Sequence, residues 1–271
     1  MSFNRFLISE LSLSRFYNAF KRRIVDIPDA FAWHMNISRS RVTRENLYSF
    51  QGRHLGQRCF IMANGPSLAN MDLSPLANET TFGLNRLYLL FEKLSFQPTY
   101  YVCVNELVLE QFSSEIGALR MHKFLNWNRR RLFNADNASI DFVRLSLGLQ
   151  DKFARNFQHP LYSGGTVTYV ALQIAYIMGF SEVVLIGLDH SFADTGIPNK
   201  VEMRQSETDV NHFHPNYFPK GSKWQLPDLK RSELAYALAR QAFERDGRQI
   251  LDATVNGKCP VFKRADFDSL F

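Results

Sequence analysis

The sequence predicts an α/β fold, and three observations carry that prediction. Short apolar runs recur along the chain from residue 58, helical stretches separate them, and three successive runs close on an asparagine. Short, continuous apolar runs suit parallel strands that are covered on both faces. The expected architecture is a Rossmann-like, mostly parallel sheet with helices on both faces, a long lid loop and an N-terminal helical arm.

Residues 1–57 form the expected arm and residues 58–271 the nucleotide-binding α/β domain. In the arm, residues 10–25 read as an amphipathic helix. Leu13, Phe16, Tyr17, Phe20 and Ile24 recur at three-to-four spacing. Lys21, Arg22 and Arg23 follow, where a helix dipole favours cations. Asp26-Ile-Pro-Asp is expected to break the pattern. Such a helix either lies in a membrane interface or packs on the main domain or a neighbouring subunit.

In the domain, strands are expected at 59–63, 80–84, 99–104, 123–125, 182–186 and 249–251. Helices are expected at 106–119, 166–178 and 230–246. The 166–178 helix opens after Ser163-Gly-Gly-Thr166 and carries Val170, Ile174 and Ile177 on one face. Residues 190–228 show no periodicity and hold His190, His212 and His214 with four prolines. A long irregular stretch inside a compact domain reads as a lid or binding loop.

Composition narrows the function classes. The chain has 271 residues, 45% hydrophobic and 21% charged, which is ordinary for a globular protein. No apolar run approaches the ~18 residues a membrane span needs. The start lacks an apolar core followed by a small-residue cleavage site, so no signal peptide is expected. Cys59, Cys103 and Cys259 are an odd, scattered set, which argues for buried, reduced thiols in a cytoplasmic protein, with peripheral contact at the inner membrane face open to the arm.

The net charge is +6. Residues 1–58 carry ten Lys/Arg and four Asp/Glu, and the remainder balances at 22 of each. The body therefore lacks the clustered positive charge of a nucleic-acid surface. A basic arm touching anionic lipid or a protein partner, with self-association open to it, fits this distribution better.

The chemistry-bearing residues gather at strand ends. Asn64, Asn85 and Asn105 each follow a strand, where open α/β sheets bind ligands. Asparagine offers donor and acceptor without charge, although it is also a common residue for leaving a strand. In Asn64-Gly65-Pro66-Ser67, the glycine permits close backbone approach, and the proline can start a short helix whose N–H groups face an anion. Ser163-Gly164-Gly165-Thr166 is a second small-residue turn, equally readable as an anion site or an N-cap. Asp189 ends the strand at 182–186 and suits a ribose hydroxyl, a metal or an acceptor. His212 and His214 are general-base candidates in the aromatic-rich lid.

This succession, from the Asn-Gly-Pro-Ser-Leu turn through Asn85, Asn105 and Ser-Gly-Gly-Thr to Ile-Gly-Leu-Asp and a His-bearing loop, resembles the bacterial family 42 sialyltransferases. It also resembles a wider superfamily that includes flagellin-modifying transferases and 6-hydroxymethylpterin diphosphokinase (MptE-like). The resemblance covers roughly residues 58–256. It implies a metal-independent, inverting glycosyltransferase that needs no cofactor and uses a CMP-activated acidic sugar, sialic acid-like or Kdo-like, as donor to a glycan or protein acceptor. On this reading Asn64, Asn85 and residues 163–166 match CMP- and sugar-binding positions, Asn105 lies near the donor phosphate, and His212 or His214 deprotonates the acceptor. One departure stands out: the tyrosine pair that follows the Gly-x-Asp strand in the sialyltransferases is replaced by His190-Ser-Phe-Ala-Asp194. Two rivals are an ATP-dependent diphosphokinase, with Asp189, Asp72 and Glu106 as Mg²⁺ ligands, and a non-catalytic scaffold recruited by the N-terminal helix.

Overall fold

The computed structural model describes residues 13–35 (backbone only through residue 22), 37–135, 137–148 and 150–271. The chain begins with two helices, α1 (Leu13–His34) and α2 (Ser38–Phe50). The sheet then opens with β1 (Arg58–Met62), β2 (Thr81–Leu84) and β3 (Tyr100–Cys103). Helix α3 (Glu106–Ala118) leads to β4 (His122–Asn126) and β5 (Ile140–Val143). Helix α4 (Val167–Met178) and β6 (Glu182–Ile186) precede a small hairpin of β7 (Val201–Met203) and β8 (Lys223–Gln225). Helix α5 (Leu229–Arg245), β9 (Gln249–Asp252) and β10 (Lys263–Arg264) finish the fold.

Eight strands form one sheet in the order β10-β9-β6-β1-β2-β3-β4-β5, and every pairing in it is parallel. Cys59–Met62 and Tyr100–Cys103 are buried on both faces, which is why their sequences read as unbroken apolar runs. Helix α4 packs across β1, β2 and β3 and against α5. It is buried from Thr168 to Met178 and ends at Gly179 (φ 95°), a left-handed cap that a side chain would strain. The three cysteines are buried thiols, and burial pushes Cys103 up to about 12 and Cys259 up to about 11.

The sheet turns direction between β6 and β1. From β1 the chain proceeds outward through β2 to β5, then returns to place β6 on the other side. The carboxyl ends of β1 and β6 therefore flank the topological switch point, where open α/β sheets bind their ligands.

The N-terminal segment differs from expectation. Asp26-Ile-Pro-Asp does not end the helix; α1 continues through Pro28 to His34. Long-range partners explain this. Asp26 accepts from Asn128 Nδ2 (2.8 Å) and pairs with Arg144, while Asp29 pairs with Arg130 at 2.6 Å. Trp127 Nε1 donates to the Asp29 carbonyl (2.8 Å). Residues 10–12, and the side chains expected to form the apolar face before residue 23, lie outside the described residues. Among the described residues no helix is long and apolar enough to cross a membrane.

Residues 190–228 are irregular apart from the β7–β8 hairpin, and they fold onto the sheet's carboxyl edge. Phe213 N–H donates to the Asn64 carbonyl (3.1 Å) and Arg86 N–H to the Tyr217 hydroxyl (3.3 Å). Phe213, Tyr217, Phe218 and Trp224 are buried, so the loop is anchored by its aromatic residues.

Candidate active site

The turn after β1 is clasped to the turn after β6. Ser67 donates twice to the Asp189 carboxylate, from its N–H (3.0 Å) and its hydroxyl (2.7 Å). Gly65 N–H donates to the Gly187 carbonyl (2.9 Å). A β-carbon on Gly65 would collide with the Asp189 carboxylate, so glycine is required by close packing rather than by φ. The anion that faces the Ser67 N–H is thus the protein's own. This corrects the expectation that the Asn-Gly-Pro-Ser turn presents open N–H groups to a ligand; the five-residue 3-10 turn Pro66–Asn70 packs against the turn after β6 instead.

Above the clasp lies a cavity of about 720 Å³. Asn64, Gly65, Asn85, Asn105, Ser163, Gly165, Thr166, Asp189 and His212 all line it, whereas Pro66, Ser67, Gly164 and His214 do not. The structure thus brings together residues from six separate stretches of chain. Asn85 sits in the left-handed region (φ 46°), a conformation asparagine tolerates at a strand exit. The side-chain oxygens of Asn64 and Asn85 are buried without a hydrogen-bond partner. An unsatisfied buried acceptor costs about 1–3 kcal/mol, so both oxygens stand ready for a donor from outside the chain.

Other candidates carry structural work. Asn105 Oδ1 caps α3 by accepting from Leu107 N (3.0 Å) and Val108 N (3.3 Å). Thr166 caps α4 through Thr168 N (3.3 Å). Gly164 N–H donates to Asp151 (3.1 Å).

The two lid histidines separate clearly. His212 Nδ1 lies 2.8 Å from Oδ2 of buried Asp209, and its ring stacks on Tyr217 with centroids 3.9 Å apart. Its Nε2 has no hydrogen-bond partner among the described residues. Burial pushes the Asp209 carboxyl up, but the His212 and Asn211 hydrogen bonds and the charges of His212 and Arg204 outweigh it and hold Asp209 below the usual carboxylate range. A carboxylate behind Nδ1 fixes the tautomer and leaves Nε2 as the proton acceptor. His214 instead accepts from Asn216 N–H (3.1 Å), and desolvation with nearby Lys93 and Arg86 lowers its pKa.

Three partners were not legible in the sequence. Asp209 lies three residues before His212 in a stretch with no other pattern. Arg231 on α5 donates to Asp151 (2.8 and 3.0 Å) and Ser163 Oγ (3.2 Å), 80 and 68 residues away, and places a fixed cation on the cavity wall. The Asp151 hydrogen bonds raise its pKa further. His190, in the left-handed region (φ 54°), bonds Glu233 (2.9 Å) and gives the cavity a second histidine–carboxylate pair.

The carboxylates considered as Mg²⁺ ligands do not converge. Asp72 accepts from Ser74 N–H (2.9 Å) away from the cavity lining, Asp189 holds Ser67, and Glu106 pairs with Arg129 at 2.7 Å. The chain's Asp-x-Asp pair, Asp266 and Asp268, also lies outside the lining. No group of three metal-ligating side chains occurs among the described residues.

Residues 33–195, more than half of the chain, match the family described as 6-hydroxymethylpterin diphosphokinase MptE-like. The chain belongs to the MptE-like family. The match spans β1 to β6 and so includes the clasp and both orphaned asparagines. The fold is similar to that of the MAf glycosyltransferase from Magnetospirillum magneticum AMB-1, with a TM-score of 0.50 at 15% identity over 84% of this chain. The chain spans 38% of that protein's length. A search of curated proteins finds no match.

Proposed function

We propose that this chain is a glycosyltransferase that moves an acidic sugar, sialic acid-like or Kdo-like, from a CMP-activated donor to a hydroxyl of a glycan or protein acceptor. The His212–Asp209 pair carries the reading. It supplies a general base on the wall of a cavity that also holds two buried acceptors without partners. The reduced thiols suit a cytoplasmic site for the reaction.

The chemistry follows from these parts. Asn64 and Asn85 accept from ribose hydroxyls or the exocyclic amine of cytosine. His212 Nε2 takes the proton from the acceptor hydroxyl as its oxygen attacks the anomeric carbon. The bond from that carbon to the phosphate oxygen breaks on the opposite face, so configuration inverts and CMP leaves with the electron pair. Asp209 stabilises the imidazolium. Arg231 and the N-terminal turn of α4 neutralise charge on the departing phosphate, so the chemistry proceeds without a divalent ion. The aromatic-anchored lid excludes the water that would hydrolyse the donor.

The family's description favours one other reading, pyrophosphoryl transfer from ATP to a pterin alcohol. One experiment separates them. Purified protein is incubated with CMP-sialic acid or CMP-Kdo and a panel of hydroxyl-bearing glycan acceptors in EDTA, or with ATP, Mg²⁺ and 6-hydroxymethylpterin, and released CMP or AMP is measured. The proposal expects enzyme-dependent CMP release in EDTA that Asp209→Asn slows by about 10²–10⁴. AMP release alone would overturn it in favour of the diphosphokinase. Release of neither nucleotide would overturn it in favour of the scaffold.

A further inference from the structure

Helix α1 is inside out. Its inward face carries charge: Asp26 pairs with Arg144 and Asp29 with Arg130, with Trp33 buried one turn on against Trp127. Its outward face is apolar. Ile24 is 50% exposed, Ile27 61%, Phe31 65% and Met35 44%. Spaced by three, four and four residues, they form one stripe along the helix. Ile37, just before α2, and Val42 on it are also exposed. Isolated exposed apolar residues are ordinary, but a continuous stripe opposite a charged buried face marks an interaction surface.

Charge selects the partner. Of the four acidic residues in residues 1–58, Asp26 and Asp29 are consumed by inward ion pairs, and Glu45 lies 4.0 Å from Arg41. The same segment holds ten Lys/Arg, and Lys21, Arg22 and Arg23 immediately precede Ile24 in sequence, with Arg23 exposed. An apolar stripe flanked by an excess of cations matches a leaflet rich in anionic phospholipid: hydrocarbon receives the side chains and headgroups receive the guanidinium groups.

We propose that α1 docks the protein flat on an anionic bilayer surface through Ile24, Ile27, Phe31 and Met35. The opposite face of the same helix, through Asp26 and Asp29, lines the cavity, so docking sets α1 between the bilayer and the cavity. The inference does not depend on which reaction the cavity performs.

The test is flotation of the full chain with vesicles of phosphatidylcholine alone or with 30% phosphatidylglycerol. The unmodified protein floats with the anionic vesicles and much less with the neutral ones, and 0.5 M salt weakens binding. Ile27→Asn with Phe31→Asn lowers the partition coefficient at least about tenfold, each side chain contributing over about 1 kcal/mol of burial. Both positions are exposed and outside the cavity lining, so the melting temperature and nucleotide binding stay unchanged. Absence of wild-type flotation, or flotation that survives the double substitution, overturns the proposal. A dimer in light scattering that the double substitution dissociates, without vesicle binding, assigns the stripe to a second copy of the chain instead.

Discussion

Replacing Gly65 by alanine probes the clasp that joins the two halves of the sheet. The backbone at Gly65 (φ −70°) accepts any residue, so the effect must come from contact alone. The new methyl would collide with the Asp189 carboxylate and stand 2.7 Å from the Gly187 carbonyl oxygen, well inside normal carbon–oxygen contact. Turning Asp189 away sacrifices both hydrogen bonds from Ser67, each about 1.5–3 kcal/mol for a charged acceptor. Moving the Gly187 turn away sacrifices the Gly65–Gly187 bond and opens the packing there. The relief routes overlap, so the net destabilisation is about 3–5 kcal/mol, or a melting temperature lowered by roughly 10 °C. Urea denaturation supplies the number. Gly117→Ala is the control, because its nearest neighbour would lie 3.7 Å away and alanine favours the helix. A Gly65→Ala protein within about 1 kcal/mol of wild type would refute the clasp.

Other expectations follow from the site. Asn85→Gly keeps the left-handed backbone and deletes the orphaned acceptor, so nucleotide affinity falls about five- to tenfold in calorimetry while the melting temperature holds. His212→Gln abolishes turnover but leaves nucleotide binding within about threefold, whereas His214→Gln leaves both intact in the same transfer assay. The depressed His214 pKa has a defined sign: the unfolded chain takes up this proton first, so stability is complete above about pH 6.5 and declines as pH falls through the lowered folded value. Asp209, also depressed, adds a loss at lower pH, below the ordinary carboxylate value and through its folded one. Urea midpoints followed from pH 7 down to about pH 2 should fall in that order, and His214→Gln should remove the first step.

The central strands were legible because burial on both faces writes them as apolar runs, and α3, α4 and α5 because their periodicity is clear. Helix α2 was not, since its buried face is Ser40, Thr43, Leu47 and Phe50, half of it small and polar. Strand β5 hides Asp141 inside a four-residue run, and edge strand β10 is Lys263-Arg264, with no apolar signal at all. The length of α1 depends on ion pairs made about a hundred residues away, which override the local proline signal. At the site, the asparagines were visible because strand ends announce them. The Arg231–Asp151–Ser163 cluster was not, because only folding brings α5 to the turn before α4. The clasp shows the converse: Ser67 and Asp189 both stand out in the sequence, but their role toward each other is a fact of packing across the switch point.

The central claim is that the cavity takes a cytidine nucleotide without a metal. The most direct measurement is the thermal shift with CMP, CDP, UDP, GDP, ATP and AMP, each in EDTA and in Mg²⁺. A ligand at ~100 times its dissociation constant adds about 2.7 kcal/mol of stability, readily seen as a higher melting temperature. The account predicts that CMP and CDP raise the melting temperature equally in EDTA and in Mg²⁺, and that Asn85→Gly weakens the effect. A shift with ATP alone, and only in Mg²⁺, would contradict it.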